Sequence, residues 1–186
     1  MNDSTHRPWT YLGGVLMAAL GVGLVVASQV LGDLALQVTM VALLAAGLVE
    51  LVAGESLRRH GGAGMAHLVS GLLVAGFSTV LFASLVYDVE MLSAAPVALF
   101  LGLFCAVNAG FRALDLAADR PRAWVSEALD TAVSLVLAGV LFASWREATP
   151  GLVGLTGGID VIAGGLSIAG SARALWKHPE LGAYAR

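Results

Sequence analysis

The chain has 186 residues, 58% of them hydrophobic and only 12% charged, with a formal net charge of −3 and a mean hydropathy of +0.85. A soluble domain carries about 25% charged residues, so there is too little polar surface here to solvate a globule. The mild negative balance without a basic run excludes a nucleic-acid partner. A single cysteine, Cys105, excludes an intrachain disulfide framework.

Six apolar runs, each roughly the 20 residues a bilayer demands, cover most of the chain. They are Trp9–Leu31, Leu34–Leu57, Met65–Tyr87, Met91–Leu114, Trp124–Trp145 and Gly151–Leu175. The first eight residues are polar and no clear cleavage site follows the first run, which therefore reads as a retained helix and not a signal peptide. The breaks are short and polar: Gly32-Asp33, Arg58-Arg59-His60-Gly61-Gly62, Asp88 to Glu90, Asp119-Arg120-Pro121-Arg122 and Arg146 to Pro150. Loops this short force antiparallel neighbours and leave no room for a soluble domain. The runs do not alternate with period two, so the expected fold class is an all-α membrane protein of six transmembrane helices, and not a barrel. Residues 1–186 are read as one membrane domain.

Basic residues orient the helices. Arg7, Arg58, Arg59, Arg112, Arg120, Arg122, Arg173, Lys177 and Arg186 fall on one side and only Arg146 on the other. The positive-inside bias predicts that both termini are cytoplasmic. Trp9, Trp124, Trp145, Trp176 and Tyr87 fall near predicted helix ends, where interfacial anchors belong.

The sequence also repeats. Leu24-Val-Val-Ala-Ser28, Val80-Leu-Phe-Ala-Ser84 and Val140-Leu-Phe-Ala-Ser144 end the odd helices, and Ala53-Gly54, Ala109-Gly110 and Ala163-Gly164 mark the even ones. Three helical hairpins, about 9–57, 65–115 and 124–175, are expected as parallel repeats around a pseudo-threefold axis. Four-residue lines then predict the packing faces. The even helices read Ala42-Ala46-Glu50-Gly54, Ala98-Gly102-Ala106-Gly110 and Leu152-Thr156-Asp160-Gly164. The odd helices read Tyr11-Val15-Ala19-Gly23-Ala27, His67-Gly71-Ala75-Thr79-Ala83 and Glu127-Thr131-Leu135-Gly139-Ala143. Small residues on one face let backbones approach closely in lipid, so Gly54, Gly102, Gly110, Gly139 and Gly164 are the expected packing glycines.

Several short motifs resemble the HdeD family, bacterial inner-membrane proteins linked to acid resistance. They are Gly102-Leu-Phe-Cys105 with Gly110 and Arg112, Leu129-Asp130, Ala148-Thr149-Pro150 and Gly158-Ile-Asp-Val-Ile162. The family's proline after its odd helices is kept only at Pro150, while Ser28-Gln29 and Ser84-Leu85 lack it. The resemblance implies six helices as three hairpins with both ends inside, and a non-enzymatic role in acid or stress resistance. It brings no catalytic residue or cofactor.

The candidate ionisable residues within the helices are Glu50, Glu127, Asp130 and Asp160. A charge at the bilayer centre costs about 2.5–3.5 kcal/mol on insertion scales, so each needs a reason. The simpler expectation is that these groups hold helices together, pairing with Arg112, Arg120 or Arg122. The alternative is a proton sensor or relay. Glu127 is expected to snorkel towards water, and His67, just inside the third helix, to be solvated or a pH sensor. Asn108, Thr79 and Thr156 are expected as interhelical hydrogen-bond partners, and Cys105 as a small buried hydrophobe. The histidines show no ligand spacing with one another or with Cys105, so no metal and no cofactor are expected. Gly61-Gly62-Ala63-Gly64 lacks the Lys-Ser/Thr ending of a phosphate loop, and no Gly-x-Ser-x-Gly, His-Glu-x-x-His or Ser-Lys pattern predicts an enzyme. Three readings remain: a stress protein of the HdeD type, a small proton or solute channel using Asp160 and Glu50, and an accessory subunit of a larger membrane complex. The expected partners are the lipid bilayer and either further copies, as a homo-oligomer, or another membrane protein.

Overall fold

The computed structural model describes residues 6–32, 34–59, 64–86, 93–118 and 124–177. They form α1 (His6–Val30), α2 (Leu34–Arg59), α3 (Gly64–Val86), α4 (Ala94–Ala118), α5 (Trp124–Ser144), a 3-10 turn (Trp145–Glu147) and α6 (Pro150–Lys177). All six helices are long and apolar enough to cross a membrane, and the described residues contain no strand. This is an all-helical, multi-pass membrane protein. The loop residues Asp33, His60 to Ala63, Asp88 to Glu90 and Asp119 to Arg122, with His178 and Arg186, lie outside the described residues.

Local chemistry sets the helix ends. Gly32 takes φ +55°, the left-handed conformation that glycine reaches without a Cβ penalty, and so turns the chain from α1 into α2. Pro150 opens α6, where its missing N–H costs nothing, and Thr149 Oγ1 accepts the free N–H of Leu152 at 3.2 Å.

The closest helix pairs are α1 with α6, α2 with α3, and α4 with α5; contact within the expected hairpins is looser. Glycine explains the first two. A Cβ on Gly14 would lie 2.6 Å from the Gly165 carbonyl oxygen, and one on Gly21 2.7 Å from that of Gly158. Between α2 and α3, a Cβ on Gly71 would meet the Gly47 oxygen at 2.7 Å. Without side chains there, the backbones approach and make the dispersion contacts that replace a hydrophobic driving force in lipid. These pairs are antiparallel, so the start of α1 and the end of α6 share one end of the bundle, called here the terminal end. The opposite end holds the α1–α2 turn.

The four-residue lines fit some helices and fail on others. Gly54 packs on Leu68, Gly102 on Leu141, and Gly164 faces Glu50 and the methyl of Met17. Gly110 and Gly139, expected as packing glycines, instead lie on exposed faces with no atom near a built Cβ. On α1 the line through Tyr11, Val15, Ala19 and Gly23 also faces outwards; the packed face carries Thr10, Gly14, Met17, Gly21, Leu24 and Ser28. On α5, Leu135 points out as well, and Ser134, Leu137, Ala138 and Leu141 point in. On α4 and α5 the physical reason is geometric: steps of four residues overshoot a 3.6-residue turn, and the line drifts off the contact face, whereas the α1 line lies outside that face from Tyr11 onwards.

At the turn end the interior is mainly apolar, with Met40, Leu43, Val97, Leu101, Leu141 and Val153 fully buried, and the buried hydroxyls of Ser28 and Thr39 donate to carbonyls of their own helices. Towards the terminal end it becomes polar. That contrast positions the site.

Candidate functional site

The polar residues fall on each helix at spacings that bring them to one interior stripe. His67 and Ser70 are three apart on α3, Asn108 and Arg112 four apart on α4, and Glu127, Asp130 and Ser134 share one face of α5. On α6, Asp160, Ser167 and Ser171 continue the pattern, and Glu50 comes from α2. All eleven are buried, and His67 and Arg112 expose 0% and 1% of their surface.

Arg112 is the hub. Its Nη1 donates to Glu127 Oε2 at 3.0 Å and to Ser167 Oγ at 3.3 Å, and also makes a close ion pair with Asp130 Oδ2. Nη2 lies 3.4 Å from His67 Nδ1 and 3.6 Å from Glu50 Oε1. Nε donates to Asn108 Oδ1 at 3.1 Å. One side chain on α4 therefore touches groups on α2, α3, α5 and α6. A planar guanidinium with five fixed donors suits this task better than an ammonium.

Second partners hold the carboxyl groups. Ser70 Oγ donates to Glu50 Oε2, and Ser171 Oγ donates to Glu127 Oε1 at 3.0 Å. Asp160 lies deeper, where its Oδ1 accepts from Ser134 Oγ at 3.0 Å and from Cys105 Sγ at 3.8 Å. His67 accepts from Arg112 at Nδ1, which puts the ring proton on Nε2, 3.4 Å from Glu127 Oε1. That second contact is an ion-pair distance without hydrogen-bond alignment. Asp130 is the least satisfied carboxyl: neither oxygen has an aligned hydrogen bond despite the ion pair to Arg112.

Several expectations are corrected here. Glu127 does not snorkel to water; it is 2% exposed, because Arg112 and Ser171 hold it inside. His67 is not solvated, since α3 turns it towards Arg112 rather than outwards. Of the three arginines expected as partners for the carboxyl groups, Arg112 is found in the interior beside them, while Arg120 and Arg122 lie outside the described residues. Thr79 and Thr156 do not bridge helices: Thr79 is exposed and donates to Ala75 O, and Thr156 donates to Leu152 O on its own helix. Asn108 bonds within its helix too, where it steers Arg112. Cys105 is buried, yet it also serves as a donor to Asp160. Glu50 and Asp160 both point into the bundle, one to Arg112 and the other to Ser134.

At 1.5 Å per residue, Glu127 and His67 lie about 5 Å into their helices from the terminal end, and Ser134 about 15 Å. The stripe therefore runs from near that end to about the middle of a 30 Å hydrocarbon layer, and the apolar residues of the turn end close it. Among the described residues, no group of three or more His, Cys, Asp or Glu side chains is arranged to hold a metal ion. One permanent cation faces three carboxyl groups within ion-pair distance, with Asp160 beyond them. Comparison with known protein families, curated proteins and solved structures finds no match for this chain.

Proposed function

We propose that this chain is a non-enzymatic, multi-pass protein of a bacterial inner membrane, similar to the HdeD family, that serves acid and stress resistance by binding protons in the Arg112 cluster. The observation that carries this reading is the excess of buried carboxyl groups over cations around one guanidinium. An unbalanced charge in a water-excluded interior costs several kcal/mol. Protons shared among Glu50, Asp130 and Asp160 supply the balance, so the cluster couples its proton content to helix contacts.

The basic-residue bias supports cytoplasmic termini, which puts the polar end of the bundle on the cytoplasmic side. The alternation of close and loose helix pairs supports three repeated two-helix units around a pseudo-threefold axis. A through-channel using Asp160 and Glu50 has less support, because Met40, Leu43, Leu101 and Val153 fill the other half of the interior. Self-association or docking on a larger membrane complex accounts for the exposed small residues Gly23, Gly110 and Gly139. The test is acid survival of cells that rely on this protein, compared with cells carrying Glu50→Gln, Asp130→Asn and Asp160→Asn together. Loss of protection at normal protein level supports the reading; full protection removes it.

A further inference from the structure

We infer that the α3–α4 seam is a proton-operated lateral joint, latched by His67 against Arg112. This deepens the proton-binding reading above and rests on it.

Three helix pairs are sealed by close contact: α1 with α6, α2 with α3, and α4 with α5. The joints between these pairs are the places where the bundle can move as rigid bodies. Of all consecutive helices, α3 and α4 touch least. Among the described residues, the contacts that bridge them include the tilted Phe77 and Phe100 rings, with centroids 5.3 Å apart, and His67 Nδ1 against Arg112 Nη2 at 3.4 Å. By contrast α3 is held to α2 along its length by Gly47, Gly54, Gly71 and Ala75, and by Ser70 on Glu50.

The polarity of the latch gives it a sign. With a neutral ring, His67 Nδ1 accepts from the guanidinium and the contact is attractive. A second proton on the ring places an N–H against an N–H and a cation against a cation. The groups facing His67 are Arg112 on α4, Glu127 and Asp130 on α5 and, through Arg112, Glu50 on α2; α6 presents the neutral Ser167 and Ser171. At neutral pH the carboxylates hold the two basic groups together. Acid adds charge to His67 and removes charge from its counter-ions, so both changes push the same way. The α2–α3 pair then swings from α4–α5 at the weak seam, while the glycine-sealed pairs stay intact.

Spin labels at Leu72 on α3 and Leu103 on α4, both exposed, report this seam; Val52 on α2 with Leu72 reports a sealed pair. The labels are placed in the full chain in bilayer nanodiscs, with Cys105→Ser keeping a donor for Asp160. Pulsed dipolar distances are compared at about pH 7.5 and about pH 5. The Leu72–Leu103 distance is expected to lengthen by about 2–5 Å in acid, with Val52–Leu72 unchanged. His67→Asn, which presents an acceptor near the Nδ1 position, and His67→Gln are both expected to abolish the shift. An unchanged seam distance, an equal shift in the sealed pair, or a shift that survives both substitutions overturns the inference. Acid survival of the triple amide variant is scored separately, so a static seam with lost protection rejects the joint while leaving proton binding supported.

Discussion

Arg112 Nη1 donates to Glu127 Oε2 at 3.0 Å across the α4–α5 interface, and both side chains are essentially closed to solvent. The pair is local in the fold, since the two residues are 15 apart and their helices are consecutive. Its reach is global, because the same guanidinium also meets α2, α3 and α6. A buried ion pair is weak evidence for net stability, but removing one partner is costly.

That asymmetry gives the first prediction. Arg112→Ala strands Glu50, Glu127 and Asp130 without their cation and is expected to destabilise the bundle by about 3–5 kcal/mol. Arg112→Lys keeps the charge but loses the fork, and recovers only part of the loss. Unfolding in mild detergent, followed by helical content, measures both. Equal stability of Arg112→Ala and the parent would remove the hub from the account.

Glycine contacts give the second. Gly21→Val forces side-chain atoms onto the Gly158 carbonyl and the α6 backbone, and is expected to cost about 1–3 kcal/mol or more as overpacking. Gly139→Ala meets open space, and should be neutral or stabilising by about 0.5–1 kcal/mol through helix propensity. The opposite ranking in a detergent stability series would show that α1 and α6 are not in close contact.

How much of this was legible in the chain depends on which signal carried it. The six spans were readable because continuous apolar length is the strongest constraint a bilayer imposes. Their structural ends fall close to those expected, with α6 opened by Pro150, one residue before the expected Gly151. Which face of each helix packs was only half readable. Glycine and alanine are as apolar as the lipid-facing residues around them, so Gly23 and Gly139 resemble Gly21 and Gly164 until a neighbouring backbone is placed. The carboxyl groups were found by their cost in hydrocarbon. His67 was assigned to the interface because it lies near a helix end, where such residues usually reach water, and Arg112 was one of three arginines offered as partners for the carboxyl groups. The missed signal was the spacing Glu127, Asp130, Ser134 on α5 with His67, Ser70 on α3 and Asn108, Arg112 on α4: polar residues at three- and four-residue steps in an apolar helix mark an interior face.

The α6 cap is a smaller check. Thr149→Ala removes the acceptor for the Leu152 N–H and should cost about 1 kcal/mol. Thr149→Ser should retain it. Thermal unfolding of the two variants side by side decides this, and equal losses would mean that the hydroxyl contributes nothing.

Orientation is tested by labelling intact cells. A cysteine at Glu147, beside the Arg146–Trp145 stack at the turn end, is expected to react with an impermeant reagent from outside. A cysteine at Gly62 should react only after the membrane is opened. Labelling of Gly62 in intact cells reverses the bundle and puts the polar stripe on the external side.

Proton uptake by the cluster is tested most directly by infrared difference spectroscopy of the protein in bilayers as the pH is lowered, comparing the parent with Glu50→Gln/Asp130→Asn/Asp160→Asn. These amides leave the Arg112–Glu127 pair matched, so the variant is expected to fold and accumulate. Acidification of the parent should raise a carboxylic-acid carbonyl band from solvent-shielded groups, and the band should be lost in the triple variant. An identical band in both proteins, or none in the parent over the range in which the cells meet acid, would contradict proton binding at Arg112.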